Sequence, residues 1–184
     1  MRIKQFILPA VIFFTTALIP QTTYASETSA SSAAFNAGFK IVKQDNRAAV
    51  LKQYLLKRKS PLADSAATFV NQADKNNLDW RFVAAISGLE SGFGKAIPPN
   101  SYNGWGWGVY GDNVRNFESW DDAIVTISTG LREQYMNKWK ATDIYSIGKI
   151  YAASPTWAVR VQAFMNDIER FEENYKTASL PLSI

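Results

Sequence analysis

The chain contains no cysteine and no histidine, and each absence removes chemistry. Without cysteine there is no disulfide framework and no thiol to carry a lipid. Without histidine, Ser-His-Asp and Cys-His nucleophiles cannot be assembled within the chain, and common zinc sites lose their usual ligands. A strong charge of one sign is also missing: 20 Lys and Arg against 16 Asp and Glu leave a formal +4, too little to argue for nucleic acid. No internal repeat is present. Carboxylates and tyrosines remain as the acid–base candidates, and no metal or cofactor is expected.

What is present is a chain of 184 residues, 47% hydrophobic, with six tryptophans. That length suits one domain with its own core, and the aromatic content suits a site that holds a flat ligand. Residues 1–25 differ from the rest: Arg2 and Lys4 precede the apolar run FILPAVIFFTTALIP, which ends at the small-residue site TYA. This is the plan of a secretory signal peptide cleaved after Ala25. The run is shorter than the roughly 20 residues a spanning helix needs and is broken by Pro9 and Pro20, so no stable membrane insertion is expected after cleavage. Loss of Arg2 and Lys4 lowers the formal charge from +4 to +2. A Ser/Ala-rich leader over 26–44 follows, then a domain over 45–176 and a tail over 177–184.

From Asp45 the signals are helical. Val50, Leu51, Tyr54 and Leu55 recur at helical spacing, and Ser60 with Pro61 predicts the start of a second helix. Asn76 and Asn77 suit its end, because asparagine tolerates the left-handed conformation, and Asp79 suits the cap of the next. In SWDD, Ser119 and Asp122 resemble a capping box. A short helix over TDIYSIGKIY precedes a terminal one in which Trp157, Val161, Phe164, Ile168 and Phe171 recur at alternating steps of four and three. The expected class is mostly α, with at most a small β element within residues 102–118.

The third helix, WRFVAAISGLE, carries the residue of interest. At about 100° per residue, Glu90 points within about 20° of Val83 and about 40° of Ile86, on the apolar face. An apolar wall disfavours the charged form of a carboxyl, as does the negative end of a helix dipole, and both suit a general acid. Gly88, Gly92 and Gly94 are expected to leave room around it for a bulky polymer. The loop NSYNGWGWGVYG then sets Tyr102, Trp105, Trp107 and Tyr110 beside the amides of Asn100 and Asn103, among Gly104, Gly106, Gly108 and Gly111. Sugar rings have an apolar face and a polar rim, so this mixture suits a saccharide cleft, with at least one of the two tryptophans expected to be packing instead.

LESGFGK, NGWGWGVYG, FESWDDAI and KIYAASPTWAVRV, in that order between about Ser60 and Phe171, resemble the bacterial glucosaminidase family of the lysozyme superfamily, and more distantly the soluble lytic transglycosylases. The resemblance implies a lysozyme-like helical domain that cleaves the glycan strands of peptidoglycan, with Glu90 as the acid at the helix end. It implies a place for Tyr151 in the cleft near the cleaved bond. Trp157, in the same segment, joins Tyr102, Asn103, Trp105, Trp107 and Tyr110 among the expected substrate contacts.

Glycosidases usually use a second carboxylate, as nucleophile or as base for water. Asp112 and Glu118 are the candidates, since Asp121 and Asp122 are explained as first-turn helix residues. If neither reaches the cleft, the sugar's own N-acetyl group or an internal hydroxyl can take the second role, and one glutamate then serves as acid and later as base. The expectation is a secreted or wall-associated monomer that acts on peptidoglycan glycan strands as a β-N-acetylglucosaminidase. NGWGWG and FESWDDAI resemble the glucosaminidase pattern, and the glutamine that transglycosylases place in this loop is missing, Val109 and Tyr110 standing there. A lytic transglycosylase or muramidase on the same fold is the nearest alternative, and a non-catalytic glycan-binding module is the alternative of another class.

Overall fold

Helices account for nearly all the regular structure, because the apolar side chains repeat at the spacing that lets helices hide them from water. A computed structural model of the chain describes residues 45–108 and 114–178. The expected signal peptide and leader, Tyr110, Asp112 and residues 179–184 lie outside the described residues. Six α-helices follow in order: α1 Arg47–Lys57, α2 Ala66–Lys75, α3 Phe82–Ser91, α4 Trp120–Gly130, α5 Ile144–Tyr151 and α6 Trp157–Ala178. The chain is mostly α-helical, and no strand occurs among the described residues. α6 runs two residues into the stretch read as a tail.

The centre of the core is α3. Every residue from Phe82 to Gly88 is buried, so this helix is apolar on all sides rather than on one face, as a helix enclosed by others must be. It packs chiefly on α6, which also covers α1 and α5, while α2 bridges α1 and α4. Each Val, Ile or Phe side chain fully removed from water in this way contributes about 1.5–3 kcal/mol.

Several local expectations shift. Ser60 does not cap α2. Its hydroxyl accepts from Leu62 N at 3.1 Å and donates to Phe93 O at 2.8 Å, and a 3₁₀ turn over Ala63–Ser65 delays the helix to Ala66. Asn77 does take a left-handed φ of 49°, and the Arg132 guanidinium donates to the carbonyls of Asn76 and Asn77, a cation at the carbonyl end of α2. Ser119 caps α4 by accepting from Asp122 N at 3.1 Å, but the Asp122 carboxylate reaches Glu118 N rather than closing a true box. The full box belongs to α5, between Asp143 and Ser146.

Two features of the fold prepare the site. α3 stops at Gly92, whose φ is 59°, and Phe93 follows it into the left-handed region at 64°. A non-glycine residue there is disfavoured. Packing holds it: the buried Phe93 ring meets Tyr54 and Phe164 edge-on, with centroids 5.6 and 5.4 Å away. The second feature is that α4 continues without interruption into a helix of wider π pitch, Leu131–Lys138. Such stretches commonly accompany functional sites, and this one presents Gln134 and Tyr135, with Trp139 just past its end, toward the Gly/Trp loop.

Candidate functional site

Glu90 is the last residue but one of α3, so its backbone is fixed by the core while its side chain leaves it. The side chain is exposed, which corrects the expectation of an acid buried on an apolar face: the unbroken buried run of α3 ends at Gly88, and Leu89 and Glu90 emerge before Ser91 is buried again. One carboxylate oxygen, Oε1, accepts a hydrogen bond of 2.7 Å from Trp157 Nε1. The other, Oε2, looks at Gly106, where an added Cβ would come within 3.9 Å of it. Gly106 has a φ of 61°, so a side chain there would be strained as well as in the way.

The glycines beside Glu90 in sequence do different work from that expected. Gly88 faces the core: a Cβ there would lie 2.6 Å from Phe93 Cζ. Gly94 is occupied likewise by Trp120, Leu62 and Pro61. They permit close packing, and only Gly106 opens space in front of the acid.

Trp157 is 3% exposed, so the expected substrate contact is corrected: it is a buried donor that aims Glu90. Its indole has little freedom, lying against Gly148, where a Cβ would approach to 2.9 Å, and stacked on Tyr151 at 4.8 Å with 25° between the planes. Tyr151 in turn donates its hydroxyl to Trp105 O at 2.7 Å. Burial above all, and then the charges of Glu90 and Tyr135, hold this hydroxyl well above the ordinary tyrosine range. Tyr151 is therefore a neutral phenol at physiological pH, with lone pairs to accept a hydrogen bond but no tendency to act as a base.

The two loop tryptophans divide. Trp105 is fully buried, with its Nε1 donating to Val83 O at 2.8 Å, and so is corrected from sugar contact to core. Trp107 is half-buried and lies against Gly130 of α4, where a Cβ would come within 2.5 Å of the indole. Asn103 is also corrected. It is 3% exposed and braces the loop, its amide donating to Trp107 O and Arg115 O at 2.8 and 3.0 Å while its oxygen accepts from Trp107 N at 3.0 Å. An amide saturated in this way has little left for a ligand. Tyr102 remains exposed, edge-on to Trp120 at 5.3 Å.

A groove of about 370 Å³ opens beside the acid, lined by Gly106, Trp107, Gly108, Arg115, Gln134, Tyr135, Trp139, Ile150 and Tyr151. Gly106 and Tyr151 join it to Glu90. The rings of Trp157, Tyr151, Tyr135 and Trp139 form a continuous run, with neighbouring centroids 4.8, 5.9 and 4.9 Å apart. Glu118 is exposed just before the Ser119 cap of α4, and among the described residues no hydrogen bond or ion pair joins its side chain to Glu90. Arg115, Gln134 and Trp139 were not anticipated. The aromatic pair Tyr135 and Trp139, four residues apart, was a local signal for part of this wall; nothing local marks Arg115.

The chain is thus a mostly α-helical protein with one aimed carboxylate beside an aromatic-walled groove. No protein-family model matches it, and no curated protein matches it significantly.

Proposed function

We propose that this chain cleaves the glycan strands of peptidoglycan, as a β-N-acetylglucosaminidase, with Glu90 as general acid and then general base. The observation that supports it best is the carboxylate itself: exposed to a ligand, held by a buried indole donor, and facing Gly106 and a groove walled by aromatic rings. A module that only binds glycan has no use for an acid positioned with such care. The sequence resemblance to bacterial glucosaminidases points the same way.

In this reading a sugar lies with its apolar face on the rings of Tyr151 and Tyr135. Glu90 protonates the leaving oxygen, and the departing strand leaves an electrophilic anomeric carbon. The sugar's own N-acetyl oxygen then attacks that carbon, the role that a second carboxylate takes in other glycosidases. Glu90, now ionised, then takes a proton from the incoming water. The neutral hydroxyl of Tyr151 accepts a hydrogen bond from substrate while its own O–H continues to donate to Trp105 O. An internal hydroxyl in place of water would give the transglycosylase product with the same groups.

Digestion of purified peptidoglycan, with mass spectrometry of the new ends, tests this. The expected product carries a reducing N-acetylglucosamine end. A reducing N-acetylmuramic end would make the protein a muramidase, an anhydro end a transglycosylase, and no soluble product would remove the enzymatic reading.

Trp157→Phe tests the aiming of the acid. Phenylalanine keeps the stack on Tyr151 but removes the donor to Glu90, and a hydrogen bond to a charged group contributes about 1.5–3 kcal/mol. The expected result is kcat lower by about tenfold or more with KM little changed. An unchanged kcat would mean that the indole has no part in positioning.

A further inference from the structure

Trp107 does not end the groove but stands between two hollows. On its far side lies a second one of about 350 Å³, lined by Val125, Thr126, Thr129 and Glu133. Trp107, Arg115 and Gln134 line both, so the two adjoin along these side chains as one channel, with Arg115 bordering both hollows.

Arg115 is the single cationic side chain lining either hollow among the described residues. It is exposed and forms no ion pair among the described residues, and of those residues Glu133 alone brings a carboxylate to the channel. Its position is nevertheless supported. The stem lies on Gly108, where a Cβ would be 3.4 Å from Arg115 Cδ, and the guanidinium sits 5.3 Å from the Phe117 ring centroid. A guanidinium placed in advance by such contacts loses less freedom on pairing with a carboxylate, which it can grip through two parallel N–H groups. Beside it, Trp139 and Ile150 stand 46% and 45% exposed, an apolar surface suited to aliphatic side chains.

A neutral N-acetylated sugar needs no such cation. The peptides that substitute alternate sugars of peptidoglycan do: they combine carboxylates with short aliphatic side chains. We infer that the channel receives the acidic peptide substituent of the glycan, with Arg115 pairing one of its carboxylates and Trp139 and Ile150 covering its apolar parts. The inference rests on glycan cleavage at Glu90, and it makes the protein selective for strands that still carry their peptides.

The test is calorimetric binding in a Glu90→Gln background, which prevents cleavage, using two ligands. One is the N-acetylglucosaminyl-N-acetylmuramyl disaccharide bearing its acidic tetrapeptide, and the other is the same disaccharide without peptide and with its lactyl carboxyl capped as the methyl amide, so that it carries no charge. The peptide-bearing ligand should bind about fivefold more tightly at low salt, in keeping with one exposed ion pair. Adding Arg115→Gln should erase that preference, Arg115→Lys should retain part of it, and salt should weaken it. Equal affinities for the two ligands, equal weakening of both by Arg115→Gln, or binding of neither would overturn the inference. Cleavage of intact peptidoglycan by the unmodified protein, measured alongside, reports on the glycosidase reading alone.

Discussion

Glu90→Gln is expected to lower glycan release from purified peptidoglycan by about 10³-fold, within the range that proton transfer by a positioned side chain supplies. The substitution isolates that step. Glutamine has nearly the same size, and its amide oxygen can still accept from Trp157 Nε1, which now donates to Oε1 at 2.7 Å. The side chain is exposed, so its charge makes no demand on the core, and the thermal midpoint should hold within a few degrees. Glu90→Asp should be intermediate, because losing one methylene draws the carboxylate back from the indole without removing its proton. Equal release by the parent and Glu90→Gln would sink the assignment of the acid. Release by neither, together with retained affinity for the strands, would leave a glycan-binding module.

Which parts of this were legible in advance follows from physical range. Helices repeat over a few residues, so their signal is local: Val50, Leu51, Tyr54 and Leu55 were marked as one face and are all buried. The same holds for Trp157, Val161 and Ile168 of α6. Glu90 was legible for a related reason, since a lone carboxylate at the end of an apolar helix stands out in sequence. Its surroundings were not. The periodicity of α3 implies a one-sided face, but whether the opposite side is also covered depends on α6, which is distant in sequence. Glycine was the most misleading residue, because its missing side chain serves equally to open a cleft and to admit a packed ring. Gly88 admits Phe93, Gly130 admits Trp107, and Gly106 alone faces the acid. Only the partner distinguishes these uses, and each partner comes from elsewhere in the chain or from across a turn. The reassignment of Trp157 has the same origin: its approach to Glu90 spans 67 residues.

The loop NGWGWG therefore holds two tryptophans with opposite duties, and truncating each should separate them. Trp105→Ala is expected to lower stability by about 3–5 kcal/mol, the usual cost of emptying a large aromatic site in a core that relaxes only in part. In a domain of this size that corresponds to a fall in Tm of roughly 10–20 °C. The cost has identifiable parts. Trp105 is among the largest fully buried side chains, it packs against Phe69 and Trp120 at centroid distances of 6.2 and 6.3 Å, and its Nε1 ties the loop to Val83 O of α3. Its backbone carbonyl also receives the Tyr151 hydroxyl, so movement of the loop would disturb the site as well. Trp107→Ala removes a half-buried wall and should be milder for folding but severe for binding of glycan fragments. Thermal denaturation of the two variants, paired with fragment affinity, decides the matter. A Trp105→Ala protein as stable as the parent would show that this indole does not anchor the loop, and a Trp107→Ala protein with undiminished affinity would show that the groove is not where the glycan lies.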